Sequence, residues 1–259
     1  MEITSLKSDE LHVSAMVQIS KISSNINLFE LATNLCISDK ISYIEHGSEI
    51  MKGFNPKNKP KKKKGKLIQK KFFYNQVTVH IQCDKTINMK IFNNGRVQMT
   101  GINNNKQGNE AIDILLSEIH NLSDECKLSI FDSENIEKEG DIETVLINSD
   151  FDIYHEIDRE LLHRLIVEQG YYSSYEPCTY PGVNIKYYHN PIRKNFGICD
   201  CEKPCNGKGK GNTCKKITIA VFKSGKIIIT GGRSKENIQI AHQFITSFIN
   251  ENKEHILLK

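Results

Sequence analysis

The chain repeats itself, and that constrains its fold more than anything else in it. Ile91-Phe92-Asn93-Asn94-Gly95-Arg96-Val97-Gln98-Met99-Thr100-Gly101 aligns without a gap on Val221-Phe222-Lys223-Ser224-Gly225-Lys226-Ile227-Ile228-Ile229-Thr230-Gly231. Phe, Gly, Thr and Gly are identical, and Arg96 faces Lys226. The offset of 130 residues persists through Ala111/Ala241, Leu115/Ile245, Ser117/Ser247 and Ile119/Ile249. A repeat of this length points to two copies of one folding unit in a chain of 259 residues.

Each copy predicts the same elements. Asn93-Asn94-Gly95 and Lys223-Ser224-Gly225 read as hairpin turns, because Gly tolerates positive φ. The flanking runs are rich in β-branched residues, as strands are. Ala111, Ile112, Leu115, Leu116 and Ile119 recur at helical spacing, as do Ile240, Phe244, Ile245 and Phe248. Further upstream, Leu28, Leu31, Ala32 and Leu35 predict a helix, with Asn27 and Glu30 spaced as a capping box. Its counterpart holds Leu161, Leu162, Leu165 and Ile166, with Asp158 as cap and Gly170 as stop. Strand-like runs precede these helices (13–19 and 144–154) and follow them (74–81 and 183–188). The reading is therefore α+β: an antiparallel sheet with helices on one face. Its expected parts are a first repeat at 10–121, a polar, acidic linker at 122–140 and a second repeat at 141–252.

Charge is unevenly spread. The net charge is +4, but residues 52–71 hold ten lysines and no acid, and without them the balance is −6. Such a block reads as a solvated insertion, a nucleic-acid contact or a localisation signal. Eight cysteines with no apolar leader argue against secretion and a disulfide framework. Cys199, Cys201, Cys205 and Cys214 crowd into one insertion, 199–214, with the spacing C-x-C-x3-C-x8-C. Four thiolates can hold Zn²⁺ tetrahedrally, although the usual pairing is C-x2-C. A structural zinc site, a redox pair and unliganded thiols all remain open at this level. No apolar run approaches the ~20 residues of a membrane-spanning helix, so no membrane partner is expected.

Tyr172-Ser173-Ser174-Tyr175-Glu176-Pro177, Tyr180-Pro181-Gly182, Val221-Phe222-Lys223-Ser224-Gly225-Lys226 and Thr230-Gly231 occur in that order. This resembles the C-terminal repeat of the TATA-box-binding protein family, and the first half resembles the other repeat through Phe92, Gly95, Arg96, Thr100 and Gly101. The resemblance implies a saddle. Two pseudo-symmetric repeats would form one curved antiparallel sheet of about ten strands, helices on the convex face, with the concave face in the DNA minor groove. Aromatic wedges would be Tyr180 with Phe222, and Phe92 with Phe72 or Phe73. Thr100, Thr230 and Ile228 would face the groove, and Arg96, Lys186 and Lys226 the phosphates. The family's paired asparagines would fall on His12 and on Asn148 or Ser149.

What the resemblance implies about function is a non-enzymatic initiation factor that binds AT-rich promoter DNA in the minor groove and bends it. It implies no cofactor for DNA binding. It implies partners among the RNA polymerase machinery, including a transcription factor IIB-like protein at Glu176. The alternative is an interaction module of the same fold with weak or non-specific DNA binding. Lys, Asn and Ile enrichment fits an AT-rich genome, such as a large DNA virus, and a nuclear or cytoplasmic replication site.

Overall fold

A computed structural model describes residues 9–55, 62–63, 66–67, 71–192, 196–202, 205–209 and 213–258. Much of the lysine block lies outside the described residues. The chain divides into two compact units, Met16–Thr144 and Met1–Ala15 with Val145–Lys259. No helix among the described residues is long and apolar enough to cross a membrane.

The first unit contains β1 (His12–Lys21, from Met16 on), α1 (Leu28–Asn34), β2 (Ile41–His46) and β3 (Ile50–Gly53). After these come β4 (Lys62–Lys63), β5 (Lys66–Leu67), β6 (Val77–Gln82), β7 (Thr86–Ile91) and β8 (Arg96–Ile102), then α2 (Asn105–His120) and α3 (Asp124–Ile130). Its antiparallel sheet runs β1-β8-β7-β6-β2-β3, with β4 and β5 as a separate ribbon. The second unit contains β9 (Glu143–Asp152, from Val145 on), α4 (Arg159–Glu168), β10 (Tyr172–Ser174) and β11 (Val183–His189). It closes with β12 (Lys215–Val221), β13 (Lys226–Gly232), α5 (Lys235–Glu251) and α6 (Lys253–Ile256). Its sheet runs β10-β11-β12-β13-β9.

Strand alternation assigns the two faces of each sheet. Val77, Val79, Ile87, Met89, Val97 and Met99 are fully buried in the first unit, as are Ile185, Ile217, Ile219, Ile227 and Ile229 in the second. The helices cover that face with Ala111, Ile112 and Leu115 of α2 and with Ala241 and Ile245 of α5. Helix caps repeat too: Asn104 accepts from Gln107 N at 3.0 Å, and Ser234 from Asn237 N at 3.2 Å. Asn27 and Asp158 cap α1 and α4 as their spacing predicts, accepting from Glu30 N at 3.3 Å and Leu161 N at 3.0 Å.

Both hairpin turns need their glycine. Gly95 N donates to Phe92 O at 3.1 Å and Gly225 N to Phe222 O at 3.0 Å, with φ of +77° and +86°. This is a three-residue loop whose last member is left-handed. A Cβ at Gly95 would stand 2.3 Å from Ile22 O, and at Gly225 2.4 Å from His155 O. The turn thus fixes the hairpin and docks it on the chain ahead of the first helix of each repeat.

The stretch 122–140 contains α3 and packs against its own unit. Asn27 N donates to Ile130 O at 2.8 Å, and Ile26 bridges Phe131. The second unit does the same with its C-terminal turn: Asp158 N donates to Ile256 O at 2.8 Å, and Ile157 bridges Leu257. Asp132 accepts from the Ser24 hydroxyl at 2.7 Å and Asn25 N at 2.9 Å, and those bonds, Ser24's foremost, lower its pKa. The acidic residues therefore serve the cap and surface of a folded element.

Candidate nucleic-acid interface

The face without helices is the candidate surface, and register orders it into rows. In the second unit one row is Asn184, Ala220, Ile228 and Asp150. The next is Lys186, Thr218, Thr230 and Asn148. Lys186 Nζ donates to Thr218 Oγ1 at 3.0 Å, and burial, with Lys216 nearby, lowers its pKa. The Thr230 hydroxyl donates to Asn148 Oδ1, and the Ser14 hydroxyl to Asn148 O at 3.1 Å. Register also decides between Asn148 and its neighbour: Asn148 lies on the open face, whereas Ser149 is fully buried under the helices.

Asp150 and Asp152 are acids on this face, Asp152 opposite Lys226 in register; Asp150 draws two basic groups. Lys226 Nζ lies 3.6 Å and His12 Nδ1 3.8 Å from its carboxylate. Beyond Lys226, the rings of Tyr180 and Phe222 stand 5.8 Å apart, tilted at 58°. Gly182 makes room for them, since a Cβ there would be 2.8 Å from Tyr180 Cε1 and 3.3 Å from Phe222 Cε1. The Glu176 carbonyl accepts from Thr179 N and Tyr180 N at 2.9 Å each, which shapes the turn and leaves the Glu176 side chain exposed. Arg159 ties the turn to α4 by donating to Pro181 O, its guanidinium 5.3 Å from the Tyr175 ring centroid.

The first unit has the same rows with other residues. Thr78, Lys90, Gln98 and Ile19 form one, and His80, Asn88, Thr100 and Val17 the other. Val17 lies opposite Thr100 as Asn148 lies opposite Thr230. The internal counterpart of Asn148 is thus Val17, not His12. Phe73 is 55% exposed, with Lys90 Nζ 5.9 Å from its ring centroid, so Phe73 joins the open face while Phe72 is half-buried. Tyr74 holds the strand position of Tyr180, three residues before the first strand residue, Val77 or Val183. It is turned to the β2–β3 turn, with its hydroxyl 2.9 Å from Ser48 Oγ. Phe92 is half-buried and Arg96 exposed.

Residues 147–252 match the family described as transcription factor TFIID (or TATA-binding protein, TBP). The second half of the chain is TBP-like. A TATA-box-binding protein-like protein of Acanthamoeba polyphaga mimivirus is 27% identical over 256 residues, covering 93% of this chain and 65% of the relative. The chain therefore spans about two thirds of that relative's length. Methanococcus jannaschii TBP shares the fold, with a TM-score of 0.54 at 20% identity, over 94% of this chain and 99% of that one. The antiparallel sheet with helices on one face, expected from the repeat, is thus the TBP fold.

The cysteine insertion departs from the repeat. It leaves β11 after the Tyr188 N to Gly197 O bond at 2.8 Å and rejoins β12 through Lys216 N to Gly207 O at 2.9 Å. All four thiols are free, and their sulfurs lie within 4.8 Å of one another, Cys201 and Cys214 at 3.6 Å. Burial, then the neighbouring thiols, pushes Cys214 up to about 12. Four sulfurs about 2.3 Å from a common centre would be about 3.8 Å apart, so this group could hold a metal ion. The Gly207 N–H also donates to Cys205 Sγ at 3.4 Å, a bond that supports a thiolate ligand.

Proposed function

We propose that this chain is a DNA-binding transcription initiation factor, not an enzyme, which binds AT-rich promoter DNA through the minor groove and bends it. The observation that carries this reading is the Tyr180–Phe222 pair at the end of a helix-free sheet face. The minor groove offers mainly acceptors; the Asn148 amide nitrogen offers a donor to it, while Thr100 and Thr230, whose hydroxyls donate to Asn88 O and Asn148 Oδ1, meet it with their methyl groups. Ile228 supplies apolar contact, and rings that enter a base step unstack and kink the duplex. Phe73 and Phe92 act likewise in the first unit. Arg96, Lys186 and Lys226 take phosphates. Exposed Glu176 serves a transcription factor IIB-like partner, and the polymerase machinery follows.

The cysteine group takes a structural Zn²⁺, with four protein ligands and no open position for chemistry. Its thiols lie among residues 199–214, outside the aligned repeat, so DNA binding needs no cofactor.

The test is affinity and end-to-end distance together, on AT-rich and GC-rich duplexes across a salt series. AT preference with shortening of the duplex is expected. Phe222→Ala should abolish the shortening and weaken binding about tenfold to a hundredfold, the range for losing a stacked aromatic. A second reading has Asp150 in its favour, because a carboxylate on the face repels phosphate. Equal binding to both duplexes without shortening would make the sheet a protein-docking surface.

A further inference from the structure

We infer that the two units read different base pairs, and that position 98 in the first and 228 in the second set the difference. Resting on the minor-groove reading, this assigns Gln98 as an acceptor for the exocyclic amine of guanine. In the minor groove A·T and T·A present only acceptors, whereas G·C adds the guanine N2 amine, a donor. A face tells the pairs apart by what it offers that amine.

Ile228, half-buried on the open face beside buried Ala220, meets it with hydrocarbon. An amine pressed on Ile228 loses water and gains no acceptor, which is unfavourable. The polar groups beside Ile228 are engaged. Asn148 Oδ1 accepts the Thr230 hydroxyl, and Asp150 lies between Lys226 and His12. This unit therefore selects A·T.

The first unit has Gln98 at the place of Ile228, Lys90 at Ala220 and Asn88 at Thr218. Gln98 is half-buried on the open face, and its carboxamide makes no hydrogen bond among the described residues. Asn88 Nδ2 is 2.9 Å from His80 Nε2, which directs its amide nitrogen there and leaves Oδ1 as acceptor. Two carboxamide oxygens thus stand where the second unit has a methyl-bearing side chain and a threonine. One amine per site is accommodated, and in one half only.

Palindromic AT duplexes carrying zero, one or two 2,6-diaminopurines in the groove test this without knowing which half is which. Diaminopurine still pairs with thymine and adds only the N2 amine to the minor groove. A protein with one accepting unit turns that unit to a single amine. Wild type should therefore hold or gain affinity, up to about tenfold, with one amine, and lose about threefold to tenfold with the second. Gln98→Ile should lose affinity at the first amine. Ile228→Gln should tolerate both. Both positions lie on the open face, and circular dichroism checks each variant's fold. Loss at the first amine in wild type, equal to that of Gln98→Ile, overturns the inference while leaving minor-groove binding intact. Indifference to the amine in every variant, with Phe222→Ala harmless, overturns the minor-groove reading and this one with it.

Discussion

At the scale of single residues, the candidate interface rests on who gives way to whom. Gly182 is there because the aromatic pair needs its space. Its backbone is not left-handed, so alanine fits the chain but not the rings, which would have to shift. Gly182→Ala should splay Tyr180 from Phe222, reducing duplex shortening and lowering affinity about threefold to tenfold. Its melting temperature should stay close to wild type, as for most surface substitutions. Fluorescence transfer across a labelled duplex and thermal unfolding separate the two effects, and a large stability loss with normal bending would contradict the assignment. The places of Phe222, Thr230 and Lys226 in the β12–β13 hairpin were legible because motif and period-two alternation agree. Gln98 and Asn88 were not, because a polar residue on the uncovered side of a strand reads as ordinary solvation. Only register, which pairs Gln98 with Lys90 and Ile19, shows that it stands in the middle of a face. The wedge in the first unit was ambiguous for a related reason. Phe72, Phe73 and Tyr74 are consecutive, and a sequence cannot say which way a strand entry twists.

At the scale of elements, the repeat announced its hairpins and helices well, since turn glycines, caps and apolar spacing all point one way. The stretch 122–140 was harder. Its acids mark a polar linker, and within it α3 repeats the role of α6, which the backbone bonds to Asn27 and Asp158 reveal. The cysteine insertion is the element with least core of its own. Apart from Cys214, its thiols are only partly covered. A metal bound there would supply order that burial does not. Metal analysis of the purified protein should find one zinc per chain, and Cys214→Ser should lose it. Because the insertion stands outside the repeat, that variant should unfold at lower temperature yet keep the AT preference. A zinc-free wild type that resists proteolysis within 199–214 would remove the metal from the account.

For the whole molecule, charge has to be read by region. The lysines of 52–71 turn a chain of −6 into one of +4, so long-range attraction to DNA depends on them rather than on the sheets. Sequence discrimination, by contrast, is proposed for the open faces, where Ile228, Thr230 and Gln98 are. The two contributions separate by salt. Each phosphate neutralised adds about 0.9 to the slope of log affinity against log salt. Replacing residues 57–66 with a Gly/Ser segment of equal length removes seven lysines and leaves a net charge of −3. Affinity at low salt should fall, and the slope should flatten by about 0.9 for every phosphate no longer neutralised. The ratio of AT-rich to GC-rich binding should not move, because bases are read elsewhere. If that ratio collapses with the slope, the lysines hold the duplex against the sheet and the faces cannot read it unaided. If the slope is unchanged, the block neutralises no phosphate, and its use as a localisation signal becomes the simpler account.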